Sequence, residues 1–97
     1  MDFFKKDNVL YVKLDSDFNY PSVKKIENSI EFENLREVVI DMTNSKLADT
    51  EGVRFLYYLK KSGVKITLVN PPSVLFKIFD ILKLTEFFKN LKIVKEG

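Results

Sequence analysis

The chain has 97 residues, which is enough for one domain with one modest hydrophobic core. It contains no cysteine and no histidine, which excludes a thiol nucleophile, a disulfide framework, an imidazole general base and a zinc site built on thiolate or imidazole. A net charge of +2 is too small to argue for nucleic acid binding.

The first third of the chain predicts a hairpin followed by a helix. The stretch Val9–Leu14 is rich in β-branched and aromatic residues and predicts a strand. Residues 3–4 predict a shorter strand before it, with residues 7–8 as the turn between the two. Pro21 is typical of the first turn of a helix, whose apolar stripe is Val23, Ile26 and Ile30.

The middle of the chain predicts a buried strand and a second helix. The continuous apolar run Val38–Met42 is typical of a central strand that is buried on both faces. The next helix is expected to begin near Thr50, capped by the Thr50 side-chain oxygen, and to stop at Gly63. The residues at helical spacing that predict its buried face are Gly52, Phe55, Leu56 and Leu59.

The last third predicts a strand over Val64–Val69, a turn at residues 70–73, a helix, and a short edge strand at Lys92–Val94. The buried stripe of that helix is predicted as Leu75, Ile78, Phe79 and Leu82. Strands that alternate with helices indicate an α/β fold with a mostly parallel sheet. We therefore expect four to five strands packed with three to four helices, and an antiparallel hairpin at the N-terminal edge.

Several of these pieces form one ordered pattern along the chain. The apolar strand ends in Asp41 and Met42, a short loop follows, and the step Asp49-Thr50-Glu51-Gly52 leads into a helix that ends at Gly63. A strand that ends near Asn70 and a Leu-rich segment complete the pattern. This pattern resembles the STAS domain family, the fold of bacterial anti-sigma factor antagonists. The resemblance covers nearly the whole chain, so residues 1–97 are interpreted as a single STAS domain.

The resemblance implies a protein-binding module with no enzymatic activity and no cofactor. In the family, the hydroxyl residue at the position of Thr50 is phosphorylated by a partner kinase, so Thr50 has two open interpretations, a phosphoacceptor or only a helix cap. Gly52 is expected to let the helix start approach a neighbouring backbone closely. Tyr57 and Phe76 are predicted to be exposed anchors for a partner. The full predicted contact surface is Asn19, Tyr20, Asp49, Thr50, Glu51, Gly52, Arg54, Tyr57 and Phe76.

Two features depart from the antagonist pattern and leave a second function open. Where many antagonists have Gly-x-Leu-Asp, this chain has Ser16-Asp17-Phe18-Asn19, and it ends in a short segment rather than another helix. This ending, together with the step Asp49-Thr50, is similar to the small STAS subunit of the Mla phospholipid ABC transporter. The partner is therefore expected to be either a serine/threonine kinase that acts as an anti-sigma factor or the ATPase of such a transporter. No signal peptide or membrane span is visible, and a cytoplasmic bacterial protein is expected.

Overall fold

The computed structural model describes residues 1–97 as five strands and three helices. The strands are β1 (Asp2–Lys6), β2 (Val9–Lys13), β3 (Glu37–Asp41), β4 (Lys65–Val69) and β5 (Lys92–Val94). The helices are α1 (Tyr20–Ser29), α2 (Thr50–Lys61) and α3 (Ser73–Ile81). The predicted order of elements, including both short terminal strands, is confirmed. None of the helices is long and apolar enough to cross a bilayer.

The strands lie side by side in their order along the chain, from β1 to β5. The β1–β2 pair is antiparallel and the other pairs are parallel. Each parallel pair of neighbours is joined through one helix, and such crossovers are almost always right-handed. Since the strand order never reverses, all three helices are placed on the same face of the sheet.

One hydrophobic core fills the space between the sheet and the helices. Alternate residues of β2, β3 and β4 point into it, because side chains along a strand alternate between the two faces. The fully buried strand residues that share this face are Leu10, Val38, Ile40 and Leu68. The helices contribute Ile26, Leu56 and Leu75, each completely buried.

The prediction that β3 is buried on both faces is wrong. Val38 and Ile40 are fully buried, whereas Glu37, Val39 and Asp41 are only partly covered. No helix crosses the second face of the sheet, which we call the open face. Sequence alone did not predict this, because a continuous apolar run looks the same whether one or both faces are covered.

The positions of the turns and helix ends agree with most of the turns and helix boundaries predicted from the sequence. Asp7 and Asn8 both have positive φ, as a two-residue hairpin turn requires. Gly63 follows α2 with φ +82°, which supports the predicted stop. The predicted stripe of α3 is wrong at Leu82, which lies just beyond the helix and is 42% exposed. Leu82 begins a series of turns whose Phe88 packs into the core instead.

Candidate functional site at the start of α2

The N-terminus of α2 is capped by Asp49 and not by Thr50. The Oδ1 atom of Asp49 accepts a hydrogen bond of 3.0 Å from the backbone N–H of Gly52. Thr50 is the first helical residue, and its side chain is exposed. The prediction that Thr50 caps the helix is therefore wrong by one residue. The consequence is that the fold does not need the Thr50 hydroxyl for capping.

The same carboxylate also holds the start of α1. The second oxygen of Asp49 accepts a hydrogen bond of 3.0 Å from the backbone N–H of Tyr20. Asn19 caps α1, with its Oδ1 atom accepting from the N–H of Ser22 at 3.2 Å. The two helix N-termini thus lie side by side, so Asn19 and Tyr20 are placed next to the start of α2.

Gly52 lies against Phe18, the residue that joins the two loops. A Cβ atom at position 52 would lie 2.8 Å from two ring atoms of Phe18 and 3.0 Å from its carbonyl oxygen. Phe18 is completely buried, so its ring has no free space to move into. The backbone N–H of Asp49 also donates to the carbonyl of Phe18 at 3.2 Å. The expected close approach at Gly52 is confirmed, and Phe18 is the neighbour.

The loops before α1 and α2 are joined by polar contacts. Asp17 accepts hydrogen bonds from the backbone N–H groups of Lys46 at 2.9 Å and Leu47 at 3.1 Å. The buried Ser45 hydroxyl donates to the carbonyl of Ser16 at 2.7 Å. The hydrogen bonds from Lys46 and Leu47 favour the charged carboxylate and lower the pKa of Asp17 below its ordinary value. These contacts fix the loops from which both helices begin.

We expect Asp17 to contribute to acid sensitivity. Because its pKa is lowered in the folded chain, the stabilisation is present above its unfolded value of about 3.9. It is lost as the pH falls through the lowered folded value. In Asp17→Asn, one amide oxygen can still accept these hydrogen bonds but does not titrate. The melting temperature of this variant should therefore fall less steeply than that of the parent below about pH 4. Equal slopes for the two proteins would contradict this assignment.

The outward side of α2 presents a polar and aromatic ridge. Thr50, Arg54 and Tyr58 follow one another at intervals of four residues and so share one face of the helix. Tyr58 is 60% exposed, and the Arg54 side chain lies 3.7 Å from the carboxylate of Glu51 in a solvent-exposed pair. We call Thr50, Glu51, Arg54 and Tyr58 the α2 ridge.

A groove runs along each side of the α2 ridge. Towards α1, the groove is lined by Tyr20, Lys24 and Glu27 together with ridge residues. Towards the segment after α3, a groove of about 390 Å³ is lined by Thr50, Tyr58, Leu82 and Leu84, among others. The exposure of Leu82, unexpected from the sequence, thus supplies an apolar wall beside Thr50.

The predicted aromatic anchors have different surroundings. Tyr57 is only half-buried but stacks on Phe87 with ring centroids 4.8 Å apart, so it is not the freely exposed anchor that was expected. Tyr58 is the exposed residue of the pair. Its spacing from Thr50 does not separate it from Tyr57, because both lie within two turns of the start of the helix on its outward side. Phe76 is 40% exposed on α3, as expected, but it lines neither groove beside the ridge.

The family of the chain is decided by comparison with known proteins. The STAS domain family model matches residues 2–96. The chain belongs to the STAS domain family. No curated protein matches this STAS chain significantly. Among solved structures, it is similar to a Thermotoga maritima protein assigned as an anti-sigma factor antagonist, at 16% identity and a TM-score of 0.63. The match covers 99% of this chain and 86% of the other, and it shows that the STAS fold is shared.

The start of α2 brings an exposed hydroxyl, an arginine and a tyrosine side chain together on the outward side of one helix. Exposed aromatic and arginine side chains beside an exposed hydroxyl are typical of protein contact surfaces. In this STAS domain, no group of three or more Asp and Glu side chains is placed to hold a metal ion.

Proposed function

We propose that this STAS domain is a non-enzymatic regulator of the anti-sigma factor antagonist type. Its partner is a serine/threonine kinase that acts as an anti-sigma factor, and the contact is made by the α2 ridge with Tyr20 and Asn19 at its border. The observation that carries the proposal is the exposed Thr50 side chain at the first turn of α2, with capping left to Asp49. Such a protein acts in the cytoplasm and regulates transcription.

The chemistry around Thr50 supports a phosphorylation switch. The first turn of a helix offers unpaired N–H groups and a positive dipole end, both of which can stabilise a phosphate. Phosphorylation adds about −1.5 to −2 charges at neutral pH. Asp49 and Glu51 flank the site, so the modified surface repels acidic groups of a partner. Arg54 is held only by a loose, exposed pair with Glu51 and is free to turn to the phosphate.

The test is to incubate the purified chain with the serine/threonine kinases of its own genome and to locate phosphate by mass spectrometry. We expect modification of Thr50, loss of the signal in Thr50→Ala, and an unchanged signal in Thr85→Ala. Thr85 is the matched control because it is also exposed but lies in the turns after α3. Phosphate found elsewhere, or none with any of these kinases, would count against the proposal.

Tyr58 should contribute to partner affinity without contributing much to stability. Its side chain is 60% exposed in the free protein, and an aromatic ring at the centre of a contact surface is a frequent hot spot. We expect Tyr58→Ala to weaken partner binding by ~30-fold or more, which corresponds to about 2 kcal/mol, with little change in melting temperature. Calorimetric titration against the kinase measures the first effect and differential scanning calorimetry the second.

The neighbouring tyrosine provides the control for Tyr58. Tyr57 stacks on Phe87, which in turn contacts Phe88 at a centroid distance of 5.0 Å. Tyr57→Ala should therefore lower the melting temperature clearly. A Tyr58→Ala variant that binds normally, or that melts as early as Tyr57→Ala, would contradict the assignment of Tyr58.

A second function is favoured by the apolar groove beside Thr50. Leu82 and Leu84 line it, and Ile81, just before them, is 76% exposed. Apolar walls of this kind suit a permanent contact that does not depend on phosphate. The alternative is therefore an accessory subunit that binds and stabilises the ATPase of an ABC-type phospholipid transporter. Co-purification with such an ATPase, equally tight for Thr50→Ala, would favour this function over the kinase partner.

A further inference from the structure

The strand β1 forms a free edge of the sheet. It pairs with β2 alone, and the hairpin closes at the pair Lys6–Val9. In a two-residue turn, the flanking pair is hydrogen-bonded, and hydrogen-bonded pairs alternate with non-bonded pairs along an antiparallel ladder. Phe4 therefore bonds towards β2, whereas the backbone N–H and C=O groups of Phe3 and Lys5 point away from the sheet.

The sequence of this edge is complementary to itself. The strand reads Asp-Phe-Phe-Lys-Lys, and when two such strands run antiparallel with Phe4 opposite Phe4, each Asp2 faces Lys6 of the second copy. We propose that two copies of this chain pair through β1 in this register, so that their five-stranded sheets become one continuous sheet. The proposal concerns a surface separate from the α2 ridge.

The backbone groups at the edge are fully used in this register. Phe3 of one copy and Lys5 of the other form a hydrogen-bonded pair. Every outward N–H and C=O group of these two residues therefore has a hydrogen-bond partner. Phe4 then forms the non-hydrogen-bonded pair on the two-fold axis, where side chains come closest. An exposed edge presents a row of unpaired N–H and C=O groups that can pair with a strand of another chain.

The side chains on the open face also match. Phe4 is 60% exposed and lies 5.9 Å from Tyr11, which is 45% exposed, as measured between ring centroids. Pairing on the axis extends this contact into one row of four rings, Tyr11 and Phe4 from each copy. Aromatic cross-strand pairs stabilise sheets, and so do opposite charges placed directly across from each other. The Asp2–Lys6 pairs occur twice because of the symmetry.

Other registers are less favourable. If the axis moves to Lys5, two lysines lie directly opposite each other, which is destabilising. If it moves to Phe3, both Asp2–Lys6 pairs are lost and Asp2 faces the aromatic ring of Phe4. The charges therefore favour the register centred on Phe4, which is the only one of the three that places opposite charges directly across from each other.

The test measures the oligomeric state of the full chain by sedimentation equilibrium over micromolar to millimolar concentrations. We expect a monomer–dimer equilibrium that weakens with added salt. Asp2→Lys and Lys6→Asp should each weaken the dimer by about ten-fold or more, and the double variant should restore it. The matched controls Asp80→Lys and Lys65→Asp make the same charge changes at exposed positions away from β1, and they should leave the dimer unchanged.

Disulfide trapping identifies the register directly. Because the chain contains no cysteine, an introduced cysteine can form a disulfide only with the same cysteine of a second copy. Residues opposite each other in a non-hydrogen-bonded pair have Cα atoms about 4.5 Å apart, which is within the range that a disulfide can span. Phe4→Cys should therefore oxidise to a covalent dimer much faster than Lys5→Cys. The proposal is overturned if the chain stays monomeric at all concentrations or if it pairs only with a strand of another protein. It is also overturned if the single charge variants dimerise normally, or if the double variant does not recover the dimer.

Discussion

Replacing Gly52 with alanine is expected to destabilise the protein, although glycine to alanine inside a helix normally stabilises by about 1 kcal/mol. The added Cβ would lie 2.8 Å from the Phe18 ring, which is completely buried and cannot move aside freely. Overpacking of this kind costs about 1–3 kcal/mol. Since the better helix propensity of alanine offsets about 1 kcal/mol of this cost, the expected net loss is about 1 kcal/mol. Such a loss would lower the melting temperature by roughly 4–8 °C for a domain of this size. Thermal unfolding followed by circular dichroism measures it.

A double-mutant cycle tests whether the contact with Phe18 is the cause. Phe18→Leu removes part of the ring that the new Cβ would touch, so the double variant should lose less stability than the sum of the single variants. A coupling of about 1 kcal/mol or more is expected, as for residues in direct contact. Arg54→Ala on the exposed side of the same helix should change stability by less than about 0.5 kcal/mol. A stable Gly52→Ala variant, or strict additivity, would refute the argument.

The second large effect is expected for Asp49→Ala. One carboxylate accepts from Gly52 at the start of α2 and from Tyr20 at the start of α1, so alanine removes an acceptor from two helices at once. Loss of a helix cap together with a second hydrogen bond should cost about 2 kcal/mol. Urea denaturation measures the loss in the free energy of unfolding.

Asparagine at position 49 separates the two contributions. Gly52 and Tyr20 bond to different oxygens of the carboxylate, and asparagine replaces one of these oxygens with an NH2 group, so in this geometry it can serve Gly52 or Tyr20 but not both. We expect Asp49→Asn to lose about half as much stability as Asp49→Ala, with faster hydrogen exchange at only one of the two amides. A variant that behaves like the parent, or like alanine, would show that the carboxylate is not shared in solution.

Much of the fold could be predicted from the sequence, because its elements are marked by local signals. The turn at Asp7-Asn8 requires residues that tolerate positive φ, and both residues have it. Pro21 and Gly63 mark a helix start and a helix stop for reasons of backbone geometry that do not depend on the rest of the chain. The order of strands and helices followed from these markers and from the periodicity of apolar residues.

The remaining details depend on contacts between distant segments, which periodicity does not encode. Whether β3 is covered on one face or both is decided by the hand of the crossovers and by the order of the strands. Whether Asp49 or Thr50 caps α2 depends on where Tyr20 and Phe18 bring the loop. Leu82 fits the helical stripe in sequence, but α3 ends one residue earlier and Phe88 fills the core.

The resemblance placed the candidate site at the step Asp49-Thr50-Glu51-Gly52, and the structure has this step at the start of α2 as expected. The site itself stays a prediction. Tyr58 was missed as an anchor because helical spacing favours Tyr57, which follows Thr50 by seven residues, two turns of the helix. The Phe87 ring, from a distant segment of the chain, covers Tyr57 and leaves Tyr58 as the exposed residue of the pair.

The placement of every helix on one side of the sheet gives this small molecule two different faces. A protein that docks on α2 approaches from the helical side, whereas the row of Phe4, Tyr11 and Val39 is reached only from the open face or along the edge of the sheet. Events on the two sides do not compete for space. A chain of this size can therefore be held in place by one neighbour while it remains available to another.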